Sequence, residues 1–311
     1  MRLTPKLVKR GRFAKVSYQK QTICIFFMRT FDLLQVMKIP ISLMMSAATF
    51  AGYVICVPIV DSTAILAVLS VFSLAAGSSA LNNYQDRKSD GLSLRTCNRA
   101  LPEQRITPSC ALVLAVTLLF SGILGLFLVH VSLTPVLLGA LSVLIYNGIY
   151  TPLKAKTVLA IVPGSFCGML APLIGWTVGG GIGSVDIGLL MAILGLWQFP
   201  HFWLLVIANQ NEYQGSVLPN MLNIFSIRQL KRILFIWTTA FAATALMLPA
   251  VGILTSVWIR WVLTIYFIIF IFFFGYYILA QTKSHAFLWL FKYLNVSMGL
   301  VIFSIITDRL L

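Results

Sequence analysis

The sequence predicts an all-α polytopic membrane protein, a bundle of nine transmembrane helices. Three observations carry the prediction: 59% of the 311 residues are hydrophobic, only 10% are charged, and the mean hydropathy is +0.93. Soluble domains carry roughly a quarter charged residues, and a soluble core of this length has no room for so many apolar side chains. Soluble dehydrogenases, nucleic-acid-binding modules and secreted disulfide scaffolds are excluded before any motif is read.

A hydrocarbon core of about 30 Å needs about 20 apolar residues per helix. Cutting the sequence at its polar and Pro/Gly-rich breaks leaves nine such segments. The first, 38–60, follows a basic N-terminal segment, 1–37, and the second, 62–82, runs into a long polar loop, 83–107. Spans 108–131 and 133–150 are joined by a tight turn, and the short basic loop 151–157 leads into 158–179 and 185–208. A second polar loop, 209–228, precedes 229–252 and 257–280, and residues 281–285 lead into the last span, 286–307.

The net charge of +15 would suggest a nucleic-acid partner in a soluble protein, but here it reads as topology. With nine spans, 20 of the 23 Lys and Arg fall on the side of the N-terminus, against Arg260 and Arg309 opposite and Lys292 inside the last span. Cytoplasmic loops carry the excess of Lys and Arg, so that side is cytoplasmic. Asp61, Asp186 and Asp308 fall on the other. No acid occurs in the first 31 residues, which raises a mitochondrial transit peptide and an inner mitochondrial membrane as an alternative. The near-absence of serine there favours a basic anchor on the inner membrane of a bacterium. The five cysteines lack metal-ligand spacing and are read as small packing residues.

Acids are scarce, so the chemistry is sought where two stand together: Asn82-Asn83-Tyr84-Gln85-Asp86-Arg87-Lys88-Ser89-Asp90. If the second span stays helical past residue 82, Asn82, Asp86 and Asp90 advance about 40° per step and share one face. Three hard oxygen donors at the cytoplasmic membrane edge suit magnesium shared with substrate phosphates, where a bland reading is a solvated helix end. Arg95, Arg99, Lys154 and Lys156 in neighbouring loops weight it toward a metal-bridged diphosphate.

These residues resemble the first aspartate-rich motif, NxxxDxxxD, of the UbiA superfamily of intramembrane prenyltransferases, and the resemblance is closest to its heme-directed branch, the protoheme IX farnesyltransferases. Arg95-Thr96-Cys97-Asn98-Arg99 resembles the family's RTxxR, Tyr150-Thr151-Pro152-Leu153-Lys154 its YTPLK, and Ala171-Pro172-Leu173-Ile174-Gly175-Trp176 its PPxxGW. Trp197-Gln198-Phe199-Pro200-His201-Phe202-Trp203 is similar to the WQxPHF run of the heme-directed members. Together the motifs cover most of residues 40–225, in order and with the expected spans between them.

The resemblance implies a prenyltransferase domain over 38–311 that moves a farnesyl group from farnesyl diphosphate to a vinyl group of protoheme IX. It implies Asn82, Asp86 and Asp90 on a first Mg2+, Glu212 on a second, and Arg95, Arg99 and Lys154 on the diphosphate. It also raises His201 as a heme-facing residue, against the alternative of a hydrogen-bonded core histidine. The chain departs from the pattern at three places. Gln210-Asn211-Glu212-Tyr213 keeps one acid of two, so the second ion is expected to bind more weakly unless Asn209 or Asn211 adds an oxygen. Ala155 replaces an arginine, with Lys156 next to it, and Ala100 replaces a proline. Tyr146 is read as an interfacial aromatic and the aromatic run 267–277 as lipid-facing. Two rival functions are an enzyme prenylating an aromatic or quinone precursor, which has no need of the WQFPHFW run, and a transporter. The absence of an acid near a bilayer midplane speaks against the transporter.

Overall fold

A computed structural model describes residues 30–93, 96–129, 132–210, 213, 219–280 and 284–311. Among them, nine helices are long and apolar enough to cross a membrane, and no strand occurs. We number them α1 (Ile39–Cys56), α2 (Ser62–Asp90), α3 (Pro108–Leu128), α4 (Thr134–Val143), α5 (Ile161–Val178), α6 (Val185–Ala208), α7 (Ile227–Val251), α8 (Val257–Ala280) and α9 (Ser284–Leu310). The fourth span continues beyond α4 as a π-helical stretch, Leu144–Tyr150, and a last turn, Thr151–Leu153. A short helical segment, residues 30–36, precedes α1.

Helix starts follow local capping chemistry. Asp61 accepts from the Ala64 amide at the start of α2, Thr107 from Cys110 at α3 and Ser184 from Asp186 at α6, while Ser226 and Gln229 form a capping box at α7. The buried carboxylate of Asp308, near the end of α9, accepts from the Thr255 and Ser256 amides just before α8. Asp61 and Asp308 thus work as helix caps.

Each helix packs on the next, and α9 packs back on α1, so the nine form a closed ring. Helices α1 and α5 also meet across it, as do α6 and α9. In lipid the drive for such contacts is close packing, which small residues permit. A Cβ on Gly175 would lie 1.8 Å from the Thr49 carbonyl oxygen, and one on Gly52 would lie 2.0 Å from that of Pro172. Thr49 Oγ1 donates to the Ala171 carbonyl at the same crossing. Gly175→Val is therefore expected to force α1 from α5 and destabilise the protein by more than the roughly 1–3 kcal/mol of ordinary overpacking. A thermal melt in detergent checks this, with Gly188→Ala, which meets open space, as the silent control.

Two sequence expectations change. The second span is helical eight residues past its expected end, through Asp90. In the run 267–277, Phe267, Phe270 and Phe274 recur at helical spacing and are buried against Phe241 and Tyr293, while Phe272 and Tyr276 are exposed. Only one face of α8 is therefore available to lipid, because the other closes the core.

Candidate active site

The ends of several elements meet at the polar tail of α2. Because α2 runs unbroken to Asp90, Asn82, Asp86 and Asp90 stack on one face over two turns. Asn82 and Asp86 are buried, and Asp90 is half-buried. A buried carboxylate is costly without a partner, and each acid has one. Lys154 pairs with Asp86, and Arg99 Nη1 lies 2.8 Å from Asp90 Oδ2. Asn82 has a cation as well: Lys38 Nζ donates to its Oδ1 at 2.9 Å.

The other elements are shaped to deliver these cations. The π-helical stretch widens the fourth span by one residue at the level of Asn82, a distortion often found at functional sites. Thr151 Oγ1 donates to the Tyr146 carbonyl at 2.8 Å and accepts from Asn82 Nδ2 at 2.9 Å. With the threonine proton already used and lysine able only to donate, the Asn82 amide has one orientation, oxygen toward Lys38. One turn earlier in the fourth span, Asn147 exchanges hydrogen bonds with Gln85, which joins the π-helical stretch to α2. Lys154 follows at the end of the same span, 5.6 Å above the Tyr150 ring.

Arg99 sits in the loop after α2. Its turn is tied down by Thr96 Oγ1, which donates to the Asp90 carbonyl, and by Ala100 and Leu101, buried against Val36. Ala100 thus fills a packed site, so its replacement of proline leaves the turn anchored. Arg105 bonds Asp32 Oδ1 at 3.1 Å, clamping the segment 30–36 over the loop.

Lys38 is one of nine basic residues that precede the first long apolar helix. It adopts φ 48°, the left-handed region, in the turn between segment 30–36 and α1. Only the approach of α1 to α2 reveals its place, and no sequence signal marks it.

His201 lies on α6, half-buried between Trp197 and Phe291, with ring centroids 4.7 Å from each. Its Nδ1 is 2.7 Å from Asn295 Oδ1 on α9, and with that oxygen as acceptor the proton sits on Nδ1 and leaves the Nε2 lone pair free. The next residue, Phe202, meets Tyr150 at 6.4 Å, so the histidine's helix adjoins the Lys154 span. Trp197 and Gln198 of the same run are structural: Trp197 donates to the Leu294 carbonyl and Gln198 to that of Ser165. Tyr146 is half-buried and stacks on Tyr150 at 5.3 Å, placing it at the rim of the site.

The structure thus brings together Asn82, Asp86, Asp90, Arg99 and Lys154, with His201 on the adjoining helix. Arg95, Asn211 and Glu212 lie outside the described residues. Lys156 is exposed, and the Asn209 amide is bonded back to the Leu205 carbonyl. Among the described residues no group of three or more His, Cys, Asp or Glu is gathered for a metal. The donor set is instead two carboxylates and one amide oxygen on a single face. Such hard oxygens fit a magnesium ion that also takes substrate phosphates.

Comparison with known proteins gives a consistent result. The model of the UbiA prenyltransferase family matches residues 44–296. The protoheme IX farnesyltransferase of Nitratidesulfovibrio vulgaris strain DP4 is 35% identical over 235 residues, 75% of this chain and 82% of the relative. That of Geobacter sulfurreducens is 35% identical over 230 residues, 71% of this chain and 82% of the relative. Among solved structures, one of digeranylgeranylglyceryl phosphate synthase superposes with a TM-score of 0.71 at 14% identity, covering 91% of this chain and 99% of its own. A UbiA homolog from Archaeoglobus fulgidus bound to GPP and Mg2+ gives 0.64 at 16% identity, covering 89% and 99%.

Proposed function

The chain belongs to the UbiA prenyltransferase family, and from that premise we propose that it transfers the farnesyl group of farnesyl diphosphate to a vinyl group of protoheme IX, giving heme O and releasing diphosphate. The observation that carries the reading is the face of Asn82, Asp86 and Asp90 ringed by Lys38, Arg99 and Lys154. The WQFPHFW run and the protoheme IX farnesyltransferase relatives support heme as the acceptor.

The costly step is parting an allylic cation from its diphosphate, and the protein acts on the charge that develops on the leaving group. Asn82, Asp86 and Asp90 would hold one magnesium ion and Glu212 a second, and the ions would neutralise the diphosphate oxygens. Lys154 and Arg99 stand beside the same carboxylates and bind the remaining anionic oxygens, with Arg95 assigned to the same group. The farnesyl chain lies among apolar helices, which keep water from quenching the cation early. The vinyl electron pair then closes the new carbon–carbon bond, and water adds to the ring-adjacent carbon that this leaves cationic and gives up a proton, so that the product carries a hydroxyl group there. His201, held by Asn295 with Nε2 free, serves as a ligand to the iron of the substrate heme. We assign the protein to a bacterial inner membrane with its N-terminus cytoplasmic, a reading that the bacterial relatives and the basic face support.

Purified protein given farnesyl diphosphate and magnesium should release pyrophosphate only when heme is added, and release independent of heme contradicts the acceptor assignment. Thr151→Val should lower turnover by roughly 10–100-fold, the usual effect of losing a ligand's supporting hydrogen bond, with the melting temperature little changed. Steady-state kinetics checks this against unaltered turnover, which would remove Thr151 from the site.

A further inference from the structure

We propose that Lys38 is a third diphosphate-binding cation, stored in the free protein on the Asn82 oxygen that the first metal takes, so that metal and diphosphate displace it together. The inference rests on the assignment of Asn82, Asp86 and Asp90 to the metal.

The pairing of the motif is complete, with one cation on each donor: Lys38 on Asn82, Lys154 on Asp86 and Arg99 on Asp90. A metal arriving alone must compete with three tethered charges. The three are not equivalent. Lys154 and Arg99 each hold a carboxylate, whereas the oxygen given to Lys38 is a neutral amide. Charge-assisted bonds to a carboxylate are the stronger kind, so Lys38 is the most readily displaced. Its direct partner alone of the three bears no charge, so an incoming anion offers it a stronger bond than the one it gives up.

The geometry gives the displaced group a destination. Asn82 cannot turn away, because Thr151 fixes its amide, so a metal on Oδ1 expels the ammonium rather than sharing the oxygen. Lys38 is anchored at the entry to α1, two residues after Val36, which packs with Ala100 and Leu101 of the loop that carries Arg99. Its freed charge therefore stays at the anion site. The diphosphate then meets Lys38, Arg99 and Lys154 as their partners pass to the metal. Metal alone binds weakly under this arrangement, and metal with diphosphate binds well.

The test measures binding in detergent without turnover, with Mn2+ by electron paramagnetic resonance and inorganic pyrophosphate with Mg2+ by calorimetry. Lys38→Met keeps the stem and removes the charge, and Lys38→Arg keeps the charge. Lys38→Met should bind Mn2+ alone about tenfold more tightly and magnesium pyrophosphate about tenfold more weakly, the scale of one charge-assisted bond. Lys38→Arg should recover most of the pyrophosphate affinity. A thermal melt of each variant confirms folding. If Lys38→Met leaves both affinities unchanged, or weakens both, the inference is overturned. Asp86→Asn separates the two levels: its loss of Mn2+ binding with Lys38→Met unaltered defeats only the role of Lys38. Wild-type Mn2+ affinity in Asp86→Asn removes the metal assignment, and this inference with it.

Discussion

Asp86→Asn should lower turnover by about 10³-fold, at the upper end of what removing one preorganised electrostatic group costs, while leaving the protein folded. The substitution keeps the size of a buried side chain and removes the charge that a hard cation requires. Its ion-pair partner, Lys154, is partly exposed and can turn to water, so the fold loses little. The measurement is single-turnover farnesyl transfer beside a thermal melt. Retained activity in a folded variant would take Asp86 out of the metal site, and unfolding would make it a structural ion pair instead.

Lys154→Met should cost roughly 10²-fold in kcat if, as proposed, its charge faces the departing diphosphate. The form of the loss is diagnostic. A cation that stabilises developing charge changes kcat and kcat/KM together, whereas one that only holds the substrate raises KM and spares kcat. Lys154→Arg should recover only part of the rate, since a planar guanidinium does not reproduce a compact ammonium above the Tyr150 ring. A rise in KM alone would move Lys154 from the transition state to ground-state binding.

Much of the fold and of the site is legible in the sequence. Nine spans follow from the spacing of polar breaks, because a bilayer demands a nearly fixed length of apolar helix. The face of Asn82, Asp86 and Asp90 follows from helical period alone, once the second span is allowed to continue past its apolar part. That continuation was hard to read because residues 83–90 are polar, and hydropathy reports burial in lipid rather than helicity. The π-helical stretch has no sequence period of its own, so the support that Thr151 gives Asn82 stayed hidden. Contacts made by tertiary approach were equally illegible. Lys38 meets a residue 44 positions away, and the partner that sets the His201 proton lies 94 positions on, at Asn295.

Product identity tests most directly whether this site farnesylates heme. Detergent-purified protein, magnesium and farnesyl diphosphate are offered heme together with a panel of aromatic prenyl acceptors, and the products are weighed by mass spectrometry. Farnesylated heme is the expected product. Prenylated aromatic acceptor with unmodified heme would contradict it, leaving the fold and the metal face in place but assigning them to another acceptor.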